Sequence, residues 1–210
     1  MMDILASLGR TMGFSFAAGI NLYATVAILG LASRYGWVAL PPQYQVFDNN
    51  WIIGAALVLY VLEFFADKIP WLDSAWDAVH TVIRPVGGAL IAVATLGHAS
   101  PATQTMIALL GAALAASSHF SKAGTRVMAN ASPEPFSNWM LSLGEDAFVV
   151  GLGLLALKYP LAAAFVVIVA IALIVAFASW IVRALRRRFG RESSRRRTPQ
   201  SHRGRGDARR

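Results

Sequence analysis

The sequence predicts an all-α, polytopic membrane helix bundle of about six membrane segments, four of them short or re-entrant. Three observations predict it. Hydrophobic residues make up 56% of the chain, and the mean hydropathy is +0.53. Charged side chains are only 14%, against about 25% in a globular protein. The charge is also unevenly placed. From Arg183 to Arg210, 12 arginines stand against Glu192 and Asp207, so the overall +8 belongs to the tail. The remaining body is an almost neutral, oily object whose natural solvent is a bilayer.

Taken in order, Met12 to Ala32 is an apolar run without charge. At 1.5 Å rise per residue it is long enough to span, and too long for the core of a signal peptide. A polar loop from Ser33 to Asn50 follows, broken at Pro41-Pro42 and holding the interface-type aromatics Tyr35, Trp37 and Tyr44. Trp51 to Ala66 is a second, shorter apolar run with Glu63 near its end. Val86 to Leu96 restarts after Arg84-Pro85, His98 to Gln104 reads as a turn, and Thr105 to Ser118 is short and rich in Gly and Ala. Ala147 to Leu157 is again short, and Leu161 to Val182 is an uninterrupted span. Gly and Ala in the middle segments suit close helix packing. The reading is a transmembrane domain over 1–182 and a disordered, arginine-rich cytoplasmic tail over 183–210. With six crossings and basic residues kept inside, both termini fall on the cytoplasmic side.

Two polar stretches interrupt this pattern. "EFFADKIPWLDSAWDAVHTVIRP" gathers Glu63, Asp67, Lys68, Asp73, Asp77, His80 and Arg84 within 23 residues. Pro70 divides it, since proline resists a helix interior. Glu63 and Asp67 then share one helix face, as do Asp73, Asp77, His80 and Arg84 on the far side of the break. Three readings stay open: an interfacial helix with paired charges, a polar cavity that binds cations or relays protons, and a divalent metal site from Asp73, Asp77 and His80. The second stretch, "HFSKAGTRVMANASPEPFSNWMLSLGED", puts His119, Lys122 and Arg126 on one face. Glu145 and Asp146 would pair with Lys122, Arg126 or Arg84 across the bundle; alternatively, those three cations would hold a phosphate or carboxylate.

Together with "AGINLYATVAILGLASRYGW", these two stretches and their spacing resemble a bacterial integral membrane family known as domain of unknown function 4126, over roughly Gly13 to Tyr159. The resemblance implies a protein of the bacterial cytoplasmic (inner) membrane and brings no activity with it. The residues themselves point to a small transporter or channel-like protein, self-associating into a homo-oligomer. Its polar pathway would be lined by Glu63, Asp67, Asp73, Asp77, His80, Arg84, His119, Lys122, Arg126, Glu145 and Asp146.

Enzyme chemistry has little to stand on. There is no cysteine, no phosphate-binding Gly-Lys-Ser/Thr loop, no nucleophile elbow and no His-Glu-x-x-His. No cofactor is expected. The alternatives are a membrane-embedded metal-dependent enzyme acting on lipid headgroups or phosphate esters, and a scaffold whose charges are purely structural. The tail should attract anionic lipid headgroups, at about 1 kcal/mol per basic residue near the surface. It lacks the interleaved aromatics that nucleic-acid binding would use.

Overall fold

The computed structural model describes residues 2–130 and 135–195, with no strand among them. The described residues form seven α-helices: α1 (Met2–Ile20), α2 (Leu22–Tyr35), α3 (Asn50–Ala66), α4 (Pro70–Leu96), α5 (Pro101–Asn130), α6 (Pro135–Lys158) and α7 (Pro160–Arg195). A short 3₁₀ helix, Pro42–Phe47, joins α2 to α3.

The run expected as one span, Met12 to Ala32, is broken at Asn21. That residue is extended (φ −145°, ψ 99°), and its side-chain oxygen accepts from the Ala24 N–H to cap α2. The two helices double back. Thr11 meets Thr95 (3.0 Å), Ser15 donates to the Gly88 carbonyl (3.2 Å) and Arg84 donates to the Gly19 carbonyl (3.4 Å), so α1 runs antiparallel to α4. A Cβ on Gly153 of α6 would touch both Phe14 and Ile28, which are equidistant in sequence from Asn21. In a straight helix those two residues would sit about 21 Å apart. The segment is therefore a helical hairpin, and the physical reason is local. Asn is a strong N-cap, and once it caps α2 the carbonyls behind it need other partners.

The short middle segments are correspondingly longer than their apolar cores. Polar turns expected as loops are helix ends: α4 starts at Pro70 and passes through Pro85 without a restart, while α5 continues through His119, Lys122 and Arg126. Helix continues wherever neighbours satisfy freed backbone groups, which a membrane bundle does for internal prolines. Three helical stretches among the described residues, Pro70–Leu96, Asn138–Lys158 and Pro160–Ala184, are long and apolar enough to cross a membrane, and α3 is a shorter apolar helix.

Polarity is inverted relative to a water-soluble fold. Along α4 the buried residues are Asp73, Asp77, His80, Arg84, Gly88, Ile91, Ala92 and Thr95, while Val79, Val82, Val86 and Leu90 are exposed. Charges face inward and hydrocarbon outward, the arrangement a bilayer imposes. This is an integral membrane protein.

Packing divides the chain into Met1–Ile171 and Ala172–Arg210. The first unit holds the hairpin and the core. There, α4 and α5 approach through Gly88 and Gly111, where an added Cβ would strike Ala115 or Ala92 and the opposite backbone. The second carries Leu173, Val175, Phe177, Trp180 and Val182, all exposed, with the Phe177 and Trp180 rings stacked. Disorder was expected from Arg183, but α7 runs to Arg195; Ala, Leu and Arg are good helix formers. Residues 196–210 of the expected tail lie outside the described residues.

Candidate functional site: a charge cluster at the hairpin tip

The site begins where the hairpin ends. Asn21 stands beside the middle of α6, its side-chain N–H donating to Asp146 Oδ1 (3.1 Å). The last two carbonyls of α1 point at cations. Gly19 O accepts from Arg84 Nη1 (3.4 Å), near the middle of α4, and Ile20 O accepts from Lys122 Nζ (3.3 Å) on α5. A helix C-terminus carries partial negative charge, so cations are its natural partners.

Around this tip the bundle assembles all eleven residues singled out in the sequence. Glu63 and Asp67 come from the end of α3. Asp73, Asp77, His80 and Arg84 come from α4, His119, Lys122 and Arg126 from α5, and Glu145 and Asp146 from α6. All are buried except Glu145 and Asp146, which are partly covered. Each charged face found from i,i+4 spacing is an inward face.

The ion pairs are dense. Glu63 Oε1 takes Arg84 Nη2 at 2.7 Å and Lys122 Nζ at 3.3 Å. Arg84 Nη1 also reaches Asp77 Oδ1 (3.2 Å). Asp67 Oδ2 takes Lys122 (3.1 Å) and Arg126 (2.9 Å). Arg126 forks onto both oxygens of Glu145, at 3.2 and 2.6 Å, and donates to the Asp67 carbonyl (2.9 Å). That bidentate geometry is the strong form of the pair. Asp73 lies 3.8 Å from the same guanidinium. Lys68, half-buried at the edge, donates to the Phe64 carbonyl and sits over the Phe64 ring. The expected pairing of Glu145 with Lys122 and Arg126 is present. Arg84, Lys122 and Arg126 are each engaged by carboxylates, which leaves the anion-site arrangement without free cations to build on.

His119 is neutral by geometry. Arg84 can only donate, so His119 Nδ1 accepts from it (2.8 Å) and Nε2–H faces Thr81 Oγ1 (3.1 Å). The hydroxyl proton of Thr81 is used on the Asp77 carbonyl (3.0 Å). His80 Nδ1 donates to the Trp76 carbonyl (2.7 Å), and its Nε2 shares a hydrogen bond with the Tyr23 hydroxyl (2.9 Å). Asp73, Asp77 and His80, the metal trio considered from the sequence, thus face three different partners. Among the described residues no three His, Asp or Glu side chains gather as metal ligands.

Acid outnumbers base. Six carboxyl groups (Glu63, Asp67, Asp73, Asp77, Glu145, Asp146) meet Arg84, Lys122 and Arg126, with Lys68 at the edge. Asp146 makes no ion pair among the described residues; the neutral Asn21 amide holds it. Glu63 Oε2 and Asp67 Oδ1 are buried without a hydrogen-bond partner among the described residues. A cavity of about 200 Å³ reaches the cluster between α1, α5 and α6, lined in part by Ser118, Ser121, Thr125, Lys122 and Glu145. A larger one, about 540 Å³, lies between α2, α3 and α4 and is apolar apart from Tyr23.

Sequence reasoning missed the tip itself: Asn21, Tyr23, Thr81 and the Gly19 and Ile20 carbonyls. One signal was present. Asn21 is the lone amide side chain in an otherwise apolar run, and Asn favours caps over helix interiors.

No curated protein and no solved structure matches this chain. The family model described as "Domain of unknown function (DUF4126)" matches residues 8–180, taking in the hairpin, the cluster and most of the apolar part of α7, and the chain belongs to that family.

Proposed function

We propose that the protein is a small bacterial inner-membrane transporter or channel-like protein that passes a proton or a monovalent cation through the charge cluster. The observation that carries this reading is the helical hairpin, whose tip meets an acid-rich, buried cluster at the middle of α4 and α6. Half-helix ends at mid-depth are how membrane transporters present backbone carbonyls and dipoles to ions. Irregular backbone at such depth is otherwise costly. The excess of carboxyl groups favours cations, and Arg84, Lys122 and Arg126, the cations an anion would use, are already engaged by carboxylates. A purely structural ion-pair network would need neither the folded-back hairpin nor carboxylate oxygens left unpartnered.

The same hairpin supports an orientation. It turns back inside the bundle, so α3 to α7 supply an odd number of crossings. The arginine-rich end then belongs on the cytoplasmic side, near anionic headgroups, with the N-terminus on the opposite side.

The experiment is reconstitution of purified full-length protein into liposomes, with proton and alkali-cation movement followed under an imposed gradient. Movement well above that of protein-free vesicles is expected. Vesicles that move neither would remove this reading and leave the scaffold.

A further inference from the structure

The Lys122 ammonium sits in a shell of oxygens that resembles a cation-binding site more than a simple ion pair. Within 3.5 Å it meets Asp67 Oδ2 (3.1 Å), Glu63 Oε1 (3.3 Å), Glu145 Oε2 (3.5 Å) and the Ile20 carbonyl (3.3 Å). An ammonium has three N–H donors, so four acceptors exceed what it can satisfy by hydrogen bonding. The carbonyl belongs to the broken end of α1, which turns the partial negative charge of a helix terminus onto the same point. Two of the carboxylates, Glu63 and Asp67, are 0% and 3% exposed, and each keeps a second oxygen with no hydrogen-bond partner among the described residues. The roughly 200 Å³ cavity lined by Lys122 and Glu145 reaches this point.

We infer that these oxygens form a monovalent-cation site which Lys122 occupies from within, so that a mobile cation arriving through the α1–α5–α6 cavity competes with the tethered ammonium. The size of the shell favours a large monovalent ion such as potassium or ammonium. Nitrogen-to-oxygen distances of 3.1–3.5 Å are too long for magnesium at about 2.0–2.1 Å or calcium at about 2.3–2.6 Å. Carboxylate and carbonyl oxygens replacing a hydration shell are the usual means of binding such an ion at membrane depth. The long, flexible lysine stem allows the ammonium to withdraw toward the cavity, where the hydroxyls of Ser121 and Thr125 supply acceptors. The inference rests on the cation reading of the cluster, and names its ligand.

The test is thermal unfolding of the full-length protein in detergent, wild type beside Lys122→Met, which keeps the unbranched stem and removes the charge. Potassium, sodium and ammonium chloride replace N-methylglucamine chloride at constant ionic strength. In the variant, Tm should rise saturably with potassium, by roughly 5–10 °C at about a hundred times Kd, and by less than half as much in the wild type. A variant that responds equally to all four salts overturns the inference. If Lys122→Met cannot be recovered, Lys122→Gln takes its place, and failure to recover either one even in potassium also counts against the site. The readout is separate from transport. Flux without potassium-specific stabilisation of the variant removes this site alone, while stabilisation without flux removes the transport reading alone.

Discussion

Glu63 holds two cations on one oxygen, Arg84 at 2.7 Å and Lys122 at 3.3 Å, with no part of its side chain exposed. Its place among Leu62, Phe64 and Phe65 marks it in the sequence as an expensive charge that needs partners, but the sequence does not say which. The partners lie 21 and 59 positions away, beyond any helix spacing. Arg84 is the more sensitive side chain, because its removal strips Glu63 and Asp77 of their shared guanidinium and frees His119 Nδ1 and the Gly19 carbonyl. Arg84→Met should destabilise by about 3–5 kcal/mol, the usual consequence of breaking a buried pair on one side. Arg34, half-buried at the surface and paired with Asp48 at 2.8 Å, is the control, since Arg34→Ala should change stability by less than about 1 kcal/mol. Unfolding in detergent compares the two, and equal losses would contradict the burial argument.

Among the elements, α4 and α5 were legible in residue type and partly misjudged in extent. The i,i+4 faces of Glu63/Asp67, Asp73/Asp77/Arg84 and Lys122/Arg126 are real helix faces, and all turn inward. What could not be read was that the charged turns continue the helices, because charge beside proline ordinarily marks a loop. The hairpin was hidden for the opposite reason. Met12 to Ala32 has the length and apolarity of a full crossing, and the single uncharged amide that breaks it weighs little in a hydropathy window. The close approach of α4 to α5 has its own test. A Cβ on Gly88 would collide with Ala115 and the Gly111 carbonyl, whereas one on Gly54 meets nothing within 4 Å. Gly88→Val should cut the yield of folded protein and lower Tm by several degrees, and Gly54→Ala should leave both unchanged. A tolerated Gly88→Val would mean that the two helices are not held this closely.

For the whole molecule, the inverted polarity and the membrane character were readable from composition, because inward charge and outward hydrocarbon need only a scarcity of charge and its clustering. The path of Met12 to Ala32 was not, since it turns on one residue, Asn21. Fusions of a reporter active only in the cytoplasm, and of one active only outside it, should report the two termini on opposite sides. Termini on the same side would require the hairpin to open into a crossing. The central claim, that the buried cluster at the hairpin tip carries ions, is tested most directly at Asp146. It sits at the tip, makes no ion pair among the described residues and is held by the neutral Asn21 amide. Asp146→Asn therefore removes a carboxyl from the proposed pathway without breaking an ion pair. The measurement is proton and potassium flux in proteoliposomes of wild type and Asp146→Asn, with Tm recorded for both. The account predicts at least a tenfold loss of flux in the variant, with Tm within a few degrees of wild type. Unchanged flux in a folded variant, or no flux from wild type at all, would contradict it.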